Sequence, residues 1–232
     1  MSDTDLSAYK RSAALTALDY VKDGMVLGLG TGSTAKEFIM ALGTKVAAGM
    51  KLRGVSTSRE TATLADRSGI VLLDDNDHWP IDVAVDGADQ VDPSFNLIKG
   101  GGGALLKEKI VAVSAKQFIV LIDYTKRVPF LGKTFPLPIE VISFGWRNTA
   151  RAIEALTRSR VVLREQAGAP FRTESGNLIV DTHMARIDNP RELDAALHHI
   201  PGIVETGLFI DCADVLIVGT PQGVETYHAT RP

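Results

Sequence analysis

"GMVLGLGTGSTAKEFIMALG", residues 24–43, decides the fold. Its first part is a short apolar run, its middle a cluster of glycines and hydroxyls, and its last part carries apolar residues at helical spacing. A strand that turns through Gly-x-Gly straight into a helix opens a parallel α/β unit. The same grammar recurs outward: "KLRGVST" then "SRETATLADRSG", "GIVLLD", "IDVAVDGAD", and "ALLKEKIVAVSA" before "FIVLID". Apolar strands alternating with amphipathic helices predict a Rossmann-like parallel sheet covered on both faces. Thr34 with Glu37, and Thr57 with Glu60, have capping-box spacing, while Gly43 and Gly69 are expected to end helices.

From Pro129 the pattern changes. "VPFLGKTFPLPIEV" holds three prolines in ten residues, and the chain then reads helix, strand, strand, helix through "ARAIEALTRS", "RVVLRE", "NLIVDTH" and "PRELDAALHHI". That order fits a small α+β domain of ferredoxin-like type. The tail "TGLFIDCADVLIVGTPQGVETYH" returns to apolar strands able to rejoin the first sheet. The expected organisation is a discontinuous catalytic domain of residues 1–128 and 205–232, with residues 129–204 inserted as a lid or oligomerisation domain.

Composition narrows the partners. The 232 residues are 45% hydrophobic and 23% charged with a formal net charge of −3, and no basic patch argues for nucleic acid. No apolar stretch reaches the roughly 18 residues of a membrane span. One cysteine, Cys212, excludes an internal disulfide framework and fits a reducing compartment. With a polar, acidic start in "MSDTDLSAYKR", a cytoplasmic protein is expected.

Three strand ends carry chemistry. In "GLGTGSTAKE", Gly30, Thr31, Gly32, Ser33 and Thr34 form a turn at a helix N-terminus, where backbone N–H groups favour an anion. Ser33 replaces the third glycine of a dinucleotide fingerprint, and no Gly-Lys-Ser/Thr closes a Walker loop, so the segment reads as a phosphate site or simply a tight turn. "STSRE", residues 56–60, offers more hydroxyls or only a helix cap. "DGADQVDPSFNLIKGGGGALLKEK", residues 86–109, places Asp86 and Asp89 at a strand's carboxyl end, where open α/β sheets bind ligands. Lys99 then precedes Gly100, Gly101, Gly102 and Gly103, whose bare backbone can approach an anion. Glu108 sits about one turn into the next helix, where the dipole favours a carboxylate base. As a bare charge run, Lys107 to Lys109 reads equally as a solvated face. His198 and His199 adjoin Pro201 and Gly202 at a helix end, where histidine suits the dipole; His183 lacks the other ligands of a metal cluster, and Cys212 lacks a basic partner.

"GLGTGSTA", "DGADQVD" and "KGGGGALLKEK", in this order and spacing, together with "LGKTFPLPIEVI" and "GLFIDCADVLIVGTPQGVE", closely resemble the ribose-5-phosphate isomerase type A family over nearly the whole chain. The resemblance implies interconversion of D-ribose 5-phosphate and D-ribulose 5-phosphate in the pentose phosphate pathway by an enediolate route, with no cofactor and no metal. By motif, it implies Glu108 as the base moving a proton between C1 and C2, and Asp86, with Asp89 beside it, as the group serving the oxygen proton and ring opening. It implies Lys99 as the charge stabilising the enediolate, and Gly100 and Gly101 as substrate contacts. Lys10, Gly30, Thr31, Gly32, Ser33 and Thr34 match phosphate and sugar contacts, and Lys126 in "DYTKRV" matches a lysine near substrate. A homodimer or homotetramer is also implied. Two departures stand out: Gln90 where the family often has Glu, and a fourth glycine, Gly103, expected to loosen the loop. A sugar-phosphate sensor would keep the phosphate loop without needing Glu108, Asp86 and Lys99 together. A sugar-phosphate deaminase or lactonase of similar architecture would be expected to add a catalytic histidine.

Overall fold

The computed structural model describes residues 3–229. In chain order the elements are α1 (Asp3–Ala17), β1 (Val26–Leu29), α2 (Ser33–Ala47), β2 (Arg53–Ser56), α3 (Arg59–Arg67), β3 (Val71–Leu72), β4 (Val83–Gly87), β5 (Gln90–Val91), β6 (Leu97–Ile98), α4 (Leu105–Ser114) and β7 (Gln117–Asp123). There follow β8 (Leu137–Val141), α5 (Trp146–Thr157), β9 (Arg160–Leu163), β10 (Glu165–Gln166), β11 (Ala169–Pro170), β12 (Leu178–His183), α6 (Pro190–His198), β13 (Ile203–Thr206), β14 (Leu208–Phe209), β15 (Val215–Thr220) and β16 (Gly223–His228). No described helix is long and apolar enough to cross a membrane. The chain divides into two units. One comprises the stretch ending at Ala88, Lys107–Lys126 and the chain from Cys212; the other comprises Asp89–Leu106 and Arg127–Asp211.

The first unit is built on a seven-stranded sheet of order β16-β15-β7-β4-β1-β2-β3, parallel except for the β15–β16 hairpin. Alternate residues of its strands share one core with α1, α2 and α3: Leu27, Leu29, Val83 and Val85 meet Phe38, Ile39 and Leu42. The intervening residues of β1 and β4 are small, Gly28 and Ala84, and α4 lies against them: a Cβ on Gly28 would come within 2.5 Å of Val111 Cγ1. Helices on both faces follow from strands that are apolar without alternation. The C-terminal run does rejoin this sheet, with β15 parallel to β7 from Val215 beside Ile119 to Gly219 beside Asp123.

The second unit holds the ferredoxin-like βαββαβ arrangement, an antiparallel sheet of order β13-β8-β12-β9 with α5 and α6. Its core gathers Leu137, Ile139, Val141, Val180, Ile153 and Leu197. A three-stranded sheet, β14-β6-β5, belongs to the same unit and brings residues 89–106 into it. The sequence reading kept 89–106 with the large domain, because two-residue strands leave no periodicity to read.

Three helix boundaries differ from expectation. Thr34 and Glu37 form no capping box: α2 begins at Ser33 with Gly32 as its cap and no side-chain cap hydrogen bond. Gly43 does not stop α2, which runs on to Ala47; the glycine is a point of close approach, where a Cβ would meet Ser68 at 3.0 Å. The cap of α3 is Ser58, whose Oγ accepts the Thr61 N–H at 3.1 Å, while Thr57 is buried beneath it. Gly69 does follow the end of α3, with φ +75°.

Candidate active site

The strand order of the first unit reverses between β1 and β4, and in open α/β sheets that reversal leaves a ligand crevice beyond the strands' carboxyl ends. Asp86 ends its buried run in β4 at 3% exposure, and its Oδ1 accepts the N–H groups of Thr31 at 3.1 Å and Gly87 at 2.7 Å. The Gly30 N–H donates to the Val85 carbonyl at 3.0 Å. A Cβ on Gly30 would overlap the Asp86 carboxyl group, so only glycine lets that carboxylate lie against the β1 turn.

Beyond this turn Gly32 caps α2 without a side chain, and Ser33 and Thr34 open the helix, whose first-turn N–H groups have no intrahelical acceptors. Lys10, on α1, donates to Ser33 Oγ at 3.1 Å. A cation, a hydroxyl and a helix N-terminus at one point are an arrangement that favours an anion. Thr31 contributes differently. Its hydroxyl lies 2.7 Å from Thr57 Oγ1 and 2.9 Å from Ser58 Oγ, and Thr61 Oγ1 donates to the Gly30 carbonyl at 2.9 Å. The hydroxyls of "STSRE" therefore cap α3 and brace the Gly30–Thr31 turn, the structural alternative of the sequence reading.

Glu108 lies one helical turn before Val111, on the same face of α4, and is 6% exposed. Since Val111 covers Gly28, Glu108 is displaced by about 4.5 Å along the helix toward its N-terminus. In a parallel βαβ unit the helix starts at the strands' carboxyl ends, so that displacement carries Glu108 toward the level of Gly30 and Asp86. A solvated charge run is thus not the whole account of residues 107–109. Lys126 is half-buried and ends the 3-10 turn Tyr124–Lys126 that follows β7, a turn tied to α1 by the edge-on Tyr9–Tyr124 pair at 6.0 Å.

The second unit holds the other marked residues. Lys99 is 3% exposed, its N–H donates to the Gly207 carbonyl at 2.9 Å, and its Nζ lies 5.5 Å from the Phe209 ring centroid. Asp89 donates its N–H to the Ile98 carbonyl at 2.8 Å, and its Oδ2 accepts the Gly101 N–H at 2.8 Å. Gly100 carries φ +102°, and its carbonyl accepts the Gly103 N–H at 3.0 Å. Gly103 corrects an expectation. At φ +81°, with a would-be Cβ inside the Phe171 ring, it is a position that only glycine fills, and the loop is pinned there rather than loosened. Gln90 is fully buried and uses both ends of its amide, Nε2 to Thr134 Oγ1 at 2.7 Å and Oε1 from the Gly132 N–H at 2.8 Å, so it serves the scaffold.

The sequence reading missed Arg164, which follows β9 and reaches this loop, and Asp181 in β12, which pairs with it. Nothing in the local sequence signals a contact between Arg164 and a loop 64 residues earlier. His198, in the last turn of α6, has two acidic neighbours: its Nε2 lies 3.1 Å from Glu205 Oε1, its Nδ1 3.6 Å from Asp194 Oδ1, and the three side chains have possible ligand atoms within 4.8 Å of one another.

Comparison with known proteins bears on both groups. Residues 53–223 match the family model described as ribose 5-phosphate isomerase A (phosphoriboisomerase A). The chain is 49% identical to the ribose-5-phosphate isomerase A of Gluconobacter oxydans (strain 621H), over 98% of this chain and 100% of that one. A solved structure of D-ribose-5-phosphate isomerase in complex with phospho-erythronic acid is 42% identical, with a TM-score of 0.93 over 96% of this chain and 99% of that one. Ribose 5-phosphate isomerase from Plasmodium falciparum is 31% identical, with a TM-score of 0.94 over 97% of this chain and 100% of that one.

Proposed function

Because the chain belongs to the ribose 5-phosphate isomerase A family, we propose that its buried charges carry the interconversion of D-ribose 5-phosphate and D-ribulose 5-phosphate through an enediolate. The observation that carries this reading is Glu108: a buried carboxylate one turn into a helix, displaced toward the strand ends where Asp86 and the anion-binding start of α2 lie.

A carbon acid next to a carbonyl is weak, so the reaction needs a base and a partner for the oxyanion. Glu108 takes the C2 proton of the open-chain aldose, the C–H electron pair becomes the C1–C2 double bond, and the carbonyl oxygen gains the charge. The same carboxyl then returns the proton to C1 as the ketone forms at C2. Asp86 serves ring opening and the movement of the hydroxyl proton, and Lys99 balances the oxyanion. Asp89, Gly100 and Gly101 supply and shape the loop after Lys99. A positioned base is typically worth about 10² to 10⁴ in rate, and one oxyanion donor about 10² to 10³. Lys10, Ser33, Thr34 and the turn Gly30–Gly32 hold the phosphate, Lys126 adds a cation, and charge-assisted hydrogen bonds of about 1.5 to 3 kcal/mol each fix the sugar remote from the reacting carbons. A relative bound to phospho-erythronic acid, which combines a phosphate with an acid group, supports a site for anions at both ends of a sugar.

The reading extends to the cell and the assembly. A single cysteine supports a cytoplasmic setting, and Phe144 at 88% exposure, near exposed Ile142, supports a homodimer or homotetramer formed through the second unit. Light scattering of the purified protein tests the assembly. The activity is tested by incubating EDTA-treated protein with ribose 5-phosphate, with no nucleotide or metal added. Ribulose 5-phosphate forming supports the isomerase, and binding without turnover would leave a sensor.

A further inference from the structure

Arg164 reaches across the second unit to the glycine loop and holds it by its carbonyls. Its Nη1 donates to the Gly100 carbonyl at 2.7 Å and to the Gly101 carbonyl at 3.1 Å. The rest of the guanidinium is occupied by Asp181, through Nε to Oδ2 at 2.9 Å and Nη2 to Oδ1, with both side chains under one-fifth exposed. An arginine neutralised by a bidentate carboxylate is a rigid fork, poorly suited to capturing a phosphate as a loose cation.

A trans peptide is planar, so each carbonyl turned toward Arg164 points the next residue's N–H the opposite way. The amide opposite the Gly100 carbonyl is that of Gly101, and Asp89 Oδ2 accepts it at 2.8 Å. The amide opposite the Gly101 carbonyl is that of Gly102, where a would-be Cβ has nothing within 4 Å. Phe171 fills the space beside Gly103 and closes the far end of the loop. We infer that Arg164, set by Asp181, is a positioning residue that aims the Gly102 N–H at an oxygen of the sugar phosphate, an inference that rests on the isomerase reading above.

Loss of this fork releases the Gly100 and Gly101 carbonyls from Arg164, and a misplacement of about 1 Å can cost about 100-fold in rate. The experiment compares wild type, Arg164→Ala and Arg164→Lys for kcat and KM with ribose 5-phosphate, melting temperature, and amide hydrogen exchange over residues 99–105. Arg164→Ala is expected to lose about 100-fold in kcat with KM changed less than about threefold, and to exchange faster in the loop. Arg164→Lys is expected to recover the melting temperature but not kcat, because a point charge cannot hold two carbonyls and Asp181 together. Wild-type kcat in either variant overturns the inference, and so does unchanged loop exchange in Arg164→Ala. Should wild type itself show no turnover, the isomerase reading and the catalytic part of this inference fall together, while exchange still decides whether Arg164 clamps the loop.

Discussion

In the turn after β1, glycine makes room for a carboxylate: Asp86 lies where a Gly30 Cβ would stand, and the backbone then enters α2 with its first N–H groups exposed by helix geometry alone. In the loop after Lys99, glycine makes room for an aromatic ring and for contacts on both edges of the backbone. Phe171 occupies the side of Gly103, Asp89 takes one amide, and Arg164 takes two carbonyls. The first loop is held by the Asp86 carboxylate and the neutral hydroxyls of Thr57, Ser58 and Thr61; the second is held by Asp89 and by the charged fork of Arg164. Two stretches of similar composition therefore differ in what would disorder them. Under the proposed reading, substitution of Ser33 or Thr34 is expected to alter ligand contacts, and substitution of Arg164 is expected to alter the geometry of the second loop.

The largest effect is expected from Glu108→Gln, which tests whether proton transfer belongs to the first unit. It keeps shape and removes the base, so kcat should fall by about 10² to 10⁴ with KM nearly unchanged. Steady-state kinetics with near-normal kcat would move the base elsewhere. Next is Gly103→Ala, which tests the claim that the second loop is pinned. A left-handed alanine costs about 1 to 2 kcal/mol and overpacking against Phe171 about 1 to 3 kcal/mol, so urea unfolding should show a stability loss of about 2 to 5 kcal/mol. A neutral outcome would mean that Phe171 swings away freely. Smaller again is Ser33→Ala with Thr34→Ala, where loss of about 1 to 2 kcal/mol of hydrogen bonding should raise KM by roughly 5- to 30-fold and spare kcat. An unchanged KM would place the phosphate away from α2.

The smallest effect lies outside both loops and calibrates them. Glu140, in β8, is buried; Thr173 Oγ1 and Asn177 Nδ2 each donate to its Oε1 at 2.9 Å. Burial raises its pKa above 4.5, with a smaller push from the Glu205 charge, and the two hydrogen bonds only partly oppose this. Its carboxyl holds a proton to higher pH in the folded chain than in the unfolded one. The stability it contributes is therefore full below 4.5 and is lost as pH rises through the raised folded value. Glu140→Gln should melt a few degrees above wild type at neutral pH, with the gap closing toward pH 4.5; a constant gap would assign the effect to packing.

The sheet was legible because its signals are local: "GMVLGLG" and "IDVAVDG" are apolar without alternation, and each is followed by a turn and a helix. Asp86 and Glu108 were singled out as candidates from those strand ends, but their burial was not legible and comes from the packing of the fold. Gly43 misled because a glycine that lets two helices approach looks in sequence like one that ends a helix. Thr57 misled because either hydroxyl of "TS" can cap, and the choice of Ser58 is made by Thr57 bonding to the Leu29 carbonyl at 3.1 Å. The sheet β14-β6-β5 and the Arg164 fork were illegible because both join residues far apart in the chain, and two-residue strands carry no periodic signature.

The parallel pairing of β7 with β15 also sets an order of events during synthesis. β7 is almost wholly apolar, "QFIVLID", yet the strand that covers its outer edge begins about 90 residues later, after the whole second unit has been made. At about 5 to 20 residues per second, the ribosome leaves that edge without its final neighbour for roughly 5 to 20 s. An unpaired apolar strand is an aggregation template. The nascent chain is thus most in need of a chaperone while the second unit, with its own core, is emerging.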